Sequence, residues 1–395
     1  MTSIDKMTTT ELRSCLALSS IFFFRMFGLF LILPVFVLYA ETLHNATPTL
    51  IGIALGSYGL TQAIFQVPFG TLSDRIGRKQ VITGGLLVFI CGSILAGNTD
   101  SIYLIILGRA LQGAGAIAAA IMALAADLTR ESQRSKAMAL IGVSIGLAFA
   151  LAFVTGPVLE PFIGVPGLFF TSAGLAFVAI IILHSAVPDP GQQQEHLSAR
   201  SSFAIDFTDI RLLMLFISIF LLHTLLMASF VVIPLTLRDL AGLDSAHHWE
   251  VYLPVLVISA ILMLPFLYLG EKYRQVNLFL CGAIVLMFCA QAGFYFLHQS
   301  VLQIAVLLTL FFLAFNYLEA TLPALVSKMA PPEKKGAALG VFSTSQFIGA
   351  FVGGLTGGLI YDHFNIKGVF VAGTIISILW FIGMVIAQNQ VSYNG

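Results

Sequence analysis

The chain alternates long apolar runs with short polar breaks. The runs lie near residues 13–40, 49–72, 80–98, 102–127, 136–160 and 164–187, and then 210–237, 249–270, 276–297, 301–327, 336–360 and 367–388. Crossing the hydrocarbon core as a helix takes about 20 mostly apolar residues. Backbone facing lipid must satisfy its own hydrogen bonds, so each run is a helix or a barrel strand. These runs are too long and too uniformly apolar for barrel strands. The pattern therefore predicts an all-α membrane protein with twelve transmembrane helices. The only long polar stretch, Pro188–Asp209, divides them six and six. The expected organisation is a six-helix bundle over 1–187, a cytoplasmic linker over 188–209 and a second six-helix bundle over 210–395.

Composition agrees with this pattern. Of 395 residues, 58% are hydrophobic and 10% charged, where a soluble domain carries roughly 25% charge. The formal net charge is zero, which points to no nucleic-acid or acidic partner. The four cysteines lie in or near apolar runs without CxxC spacing or clustered histidines, so no metal site and no disulfide is expected. The first apolar run follows a polar start and is long enough to span, so it reads as an anchor and not as a cleaved signal. With a cytoplasmic N-terminus, fifteen Lys and Arg residues fall in inside loops and two, Arg238 and Lys367, outside. This asymmetry satisfies the positive-inside rule, and it places both termini in the cytoplasm.

A weak internal repeat accompanies the six-and-six division. Val67-Pro68-Phe69 aligns with Leu264-Pro265-Phe266, and Asp74-Arg75 with Glu271-Lys272, at an offset of 197; Arg134 and Ala137 align with Lys334 and Ala337 at an offset of 200. Both matches fall on the inner face after corresponding helices. They predict two halves related by an axis along the membrane normal, a transporter design.

Three strings carry more specific information. Gly70-Thr-Leu-Ser-Asp74-Arg75-Ile-Gly77-Arg78-Lys79 joins the second and third spans with a tight turn, a carboxylate and a basic cluster. It resembles, almost position for position, the signature loop of the major facilitator superfamily. Arg109-Ala-Leu-Gln112-Gly113 is similar to that superfamily's fourth-helix motif. Gly142-Val-Ser-Ile-Gly146 followed by Gly156-Pro157 resembles the fifth-helix motif of its antiporters, with Glu160 where a glycine is usual. Gly142–Gly146 also fits GxSxG, but without the strand and the acid and histidine partners that a hydrolase elbow requires.

Together these strings resemble the twelve-span drug:proton antiporter branch over essentially the whole chain. The resemblance implies a monomeric, multi-pass protein of the cell membrane, in bacteria the inner membrane. Its partners would be protons and a small amphiphilic substrate, with the proton gradient in place of any cofactor. It also implies a latch: Asp74 docking at the start of the eleventh helix near Lys335–Gly340, and Arg78 pairing with Asp127. A specific metabolite, such as a sugar or a siderophore-like chelator, is the alternative cargo. Channel and enzyme readings lack a selectivity motif or a catalytic constellation.

Ionisable groups inside spans are costly and are functional candidates by default. Four stand out: Arg25 in the first span, Arg109 in the fourth, His223 in the seventh and Glu319 in the tenth. Glu319, in Asn316-Tyr-Leu-Glu319, lies about 13 Å from the inner end of its helix by helical rise and is the leading proton carrier. A carboxyl group in low dielectric exchanges protons nearer neutrality than one in water. His223 is the alternative carrier, and Arg109 stands with them as a coupling candidate. Arg25, Asn316 and Gln112 are candidates for the substrate cavity. For Arg25, binding an anionic substrate and pairing with a carboxylate both remain open.

Overall fold

The computed structural model describes residues 6–189, 209–297, 299–331 and 334–392. Most of the expected linker, Arg200 included, lies outside them. Among the described residues all extended regular structure is helical, with one isolated bridge between His44 and Ser101. Ten helical stretches are long and apolar enough to cross a membrane. Two of them are helix pairs. Glu131–Ala186 has 56 residues, about 84 Å of helix at 1.5 Å per residue, nearly three times the apolar thickness of a bilayer. It breaks at Gly164, whose φ of 65° is non-helical. Lys335–Gln388 breaks in the same way at Asn365, φ 59°. The described residues thus cross twelve times, in the order the hydropathy pattern predicts.

Two spans depart from that pattern in detail. The first run was expected to be continuous over 13–40. Its helix is Thr9–Phe30, then a turn over 31–35 and a short helix Phe36–Ala40. Pro34 sits in this turn, without an N–H to donate and with a ring that crowds the preceding turn. The fourth span, expected as one helix over 102–127, is Ile102–Ala114 followed by Ala118–Asp127, interrupted at Gly115.

Surface composition also fits lipid. Phe162, Leu302, Leu264 and Leu379 are each more than half exposed, which a water-facing surface of this extent would not tolerate. Helix association in lipid relies on close packing by small residues instead of hydrophobic burial. In the first half, a Cβ on Gly156 would strike the Leu31 carbonyl, and one on Gly28 would lie 3.0 Å from Ser172 Cα. These two contacts pack the fifth and sixth spans against the first. Gly142 and Gly146, the other glycines of the fifth-span motif, have nothing within 4 Å of an added Cβ.

The described residues fall into two compact units. One lies within Met1–Tyr39, Leu43–Asn45 and Leu60–Ala199, the other within Ala40–Thr42, Ala46–Gly59 and Arg200–Gly395. The second span, Pro48–Ile76, therefore contributes to both. Its first turns belong to the second unit because Gly52, Gly56 and Gly59 lie against backbone at Gly354, Phe351 and Phe347.

Candidate functional site

In the second unit the seventh span, Ile210–Leu235, packs along the eleventh span through a glycine ridge. An added Cβ on Gly349 or Gly353 would strike the carbonyl oxygen of Phe220 or Thr224, and one on Gly357 would lie 2.7 Å from Ala228 Cα. The four-residue spacing puts all three glycines on one helix face, so the two backbones touch over two turns. Thr224 Oγ1 donates to Gly349 O at 3.2 Å across this seam.

One turn before Gly349 stands Gln346. Its side-chain nitrogen lies 2.9 Å from His223 Nε2 and 3.0 Å from Glu319 Oε1. His223 Nδ1 is 3.2 Å from the Ile219 carbonyl, and Phe315 lies against the imidazole with ring centroids 5.6 Å apart. His223 Nε2 and Glu319 Oε2 are 3.8 Å apart. Glu319 Oε2 is itself buried and accepts no hydrogen bond, although the side chain as a whole is 38% exposed. Two of the ionisable residues singled out from sequence thus meet on an uncharged third. Asn316, one turn before Glu319, donates to Ser259 Oγ of the eighth span at 3.3 Å.

In the first unit, Arg25 is 1% exposed. It donates to Gln62 Oε1 at 2.8 Å and to the Gly115 carbonyl at 2.9 Å. Gly115 is where the fourth span breaks, and a carbonyl freed from a helix inside a membrane needs a donor from the protein. Arg25 supplies it. The structure thereby adds a role to the two left open for this residue, that of closing an interrupted helix. Arg109 donates to Gln112 Oε1 at 2.8 Å, and Gln112 donates onward to Ser93 Oγ at 2.8 Å, with Gln112 and Ser93 fully buried. This chain ties the fourth span to the third.

At the turn between the second and third spans, Gly77 has φ 105°, a conformation that disfavours any side chain, and the third span starts immediately after it. Arg78 then pairs with Asp74, donates from Nε to Asp127 Oδ2 at 3.1 Å and donates to Ser73 Oγ at 2.7 Å. Lys79 donates to the Val187 carbonyl at 2.6 Å and pairs with Asp189 at 2.8 Å. The Lys79 ammonium holds the Asp189 carboxyl below the usual carboxylate range. Gly70 sits against Ala119, whose Cβ would be 3.2 Å from an added Cβ. Arg75 lies at the end of the second span and is exposed.

Gln346, Gln62 and Ser93 were missed in sequence because neutral polar residues carry a much smaller membrane penalty than charges. The available signal was the polar run Ser343–Gln346 inside an otherwise apolar span.

Comparison with known proteins places this geometry. The model of the Major Facilitator Superfamily matches residues 18–315 and 215–390. The inner membrane transport protein YajR of Escherichia coli K12 is 47% identical over 385 residues, covering 95% of this chain and 83% of that one. Multidrug resistance protein 2 of Bacillus subtilis is 27% identical, covering 85% of each. Among solved structures, a bacterial homologue of the human lysosomal transporter Spinster superposes with a TM-score of 0.82 at 12% identity, covering 97% of this chain and 98% of that one. Twelve crossings, a superfamily-type inner loop and these matches over nearly the full length lead to one conclusion: the chain belongs to the Major Facilitator Superfamily of membrane transporters.

Proposed function

We propose that this transporter is a proton-coupled exporter of small amphiphilic compounds that works by alternating access, with Glu319 as its proton site. One observation carries the reading: Glu319 Oε2 is a buried carboxyl oxygen without a hydrogen-bond donor. Leaving a buried acceptor unsatisfied costs about 1–3 kcal/mol, more when it is charged. A proton on this oxygen lowers that cost by removing the charge, and a donor brought by a cargo lowers it by satisfying the acceptor. A site that one proton or one substrate relieves is suited to exchanging them.

Supporting the export direction, a relative named for multidrug resistance aligns over most of both chains. The Arg78–Asp127 pair supports reading this turn as part of the cytoplasmic latch that the sequence resemblance implies. The proposed setting is a bacterial inner membrane with both termini cytoplasmic.

The test is reconstitution into liposomes holding a pH-sensitive dye, challenged with cationic, neutral and anionic amphiphiles. Wild type should move protons when given a cargo, and Glu319→Gln should abolish that flux while still binding the cargo. Full pH-driven flux in E319Q would remove Glu319 as the carrier. Cargo movement without protons in wild type would remove the coupling itself.

A further inference from the structure

The contact set of His223 fixes which of its nitrogens carries hydrogen. The Ile219 carbonyl can only accept, so Nδ1, at 3.2 Å from it, is the donor. In the neutral ring Nε2 then offers a lone pair, and the group facing it is the Gln346 amide nitrogen at 2.9 Å. That nitrogen has two hydrogens, and the second points to Glu319 Oε1 at 3.0 Å. One neutral amide thus donates to both members of a pair whose own closest approach is 3.8 Å, outside hydrogen-bonding distance.

Three spans of the second unit meet at this point. The seventh span itself brings the Ile219 carbonyl to His223, the tenth brings Glu319 and Phe315, and the eleventh brings the uncharged Gln346. Among the described residues, the ionisable group within ion-pair range of His223 is Glu319. Gln346 is also held in place. It precedes Gly349 and Gly353, whose backbone rests on Phe220 and Thr224, so the backbone that carries it is seated directly on the seventh span.

We propose that Gln346 is a spacer that keeps His223 and Glu319 from closing into a permanent ion pair, holding the imidazole neutral and the carboxylate available. An imidazolium and a carboxylate in direct contact attract strongly in low dielectric, and a carboxylate so paired no longer offers itself to an outside proton or cargo. With the amide between them, each group has a donor and neither needs the other's charge. Gln346 is a positioning residue in this scheme. The scheme rests on the reading of Glu319 as the proton site.

The experiment is nitrogen-15 spectroscopy of the histidine-labelled full chain in lipid nanodiscs near neutral pH, with His223 assigned by its loss in His223→Asn. Wild type should show a neutral ring protonated on Nδ1. Gln346→Met, similar in length but without donors, should turn His223 into imidazolium. Adding Glu319→Gln to that variant should return it to neutral. An imidazolium or an Nε2-protonated ring in wild type overturns the proposal, and so does a neutral His223 in Q346M. Should Q346M fail to fold, the wild-type tautomer decides by itself. The spectra are read without cargo, so they judge Gln346 separately from the carrier. Loss of proton flux in E319Q together with a neutral ring in Q346M rejects the spacer and keeps the carrier. Retained flux in E319Q with imidazolium in Q346M does the reverse.

Discussion

The glycine ridge that sets the site can be tested with a single methyl group. In Gly353→Ala the new Cβ would collide with the Thr224 carbonyl oxygen and lie 2.8 Å from Thr224 Cα, where ordinary contact begins near 3.4 Å. The obstruction is backbone, which cannot rotate away as a side chain would, and the carbonyl oxygen is the nearer atom, so the two helices must part by roughly 1 Å. Overpacking of this kind costs about 1–3 kcal/mol. Replacing a helical glycine with alanine returns roughly 0.5–1 kcal/mol of backbone entropy. Gly340→Ala, in the same Lys335–Ser392 stretch with nothing within 4 Å, receives the gain without the clash. The two variants should therefore move in opposite directions, by a net difference of about 1–3 kcal/mol. Thermal unfolding of the detergent-solubilised protein by tryptophan fluorescence and size-exclusion chromatography would rank them. Unfolding of such proteins is commonly irreversible, so rank order at a fixed scan rate is the quantity to compare. G353A also displaces Gln346, one helical turn beyond Gly349, so the His223 nitrogen-15 signal should change in G353A and not in G340A. A G353A protein as heat-stable as G340A would show that the seventh and eleventh spans do not depend on this contact.

Two further outcomes follow from the loop between the second and third spans. Asp74→Asn removes the carboxylate that pairs with Arg78 and should slow transport in vesicles while leaving the elution profile of the folded protein intact. Undiminished transport would sink the latch. Asp189, held below its usual range by Lys79, ties Lys79 at neutral pH and should release it as pH falls through that lowered value. Because the folded value is the lower one, the tie is complete above the ordinary carboxylate range, weakens below it and is lost once pH has fallen through the lowered value. The pair is solvent-exposed on the Asp189 side, so the effect should be small and salt-sensitive. Amine labelling of Lys79 in Asp189→Asn, compared with wild type at matched mild pH, would register it as faster modification, and equal rates would count against the tie.

Much of the architecture was legible in local pattern. A run of apolar residues in lipid has one way to satisfy its backbone, so the number of crossings and nearly all their limits could be read without knowing any contact. Charge asymmetry around the runs predicted sidedness on equally local grounds. Glu319 and His223 could be singled out because an ionisable group inside such a run needs a reason to be there. Their meeting could not be foreseen, since they lie on different spans and touch through a residue 123 positions from one and 27 from the other.

What the sequence by itself determined was therefore the set of helices, their order through the membrane and the motif loop between the second and third spans with its Asp74 and Arg78. These follow from short-range rules: segment length against bilayer thickness, charge beside each span and a motif contiguous in the chain. Only the tertiary structure decided that the fourth span opens at Gly115 for Arg25, that glycines seat the eleventh span on the seventh, and that Gln346 stands between His223 and Glu319. Hydrogen bonds depend on positions within a few tenths of an ångström. Hydropathy says that a polar side chain lies within a span, and only the packing of the neighbouring helices says which group it meets there.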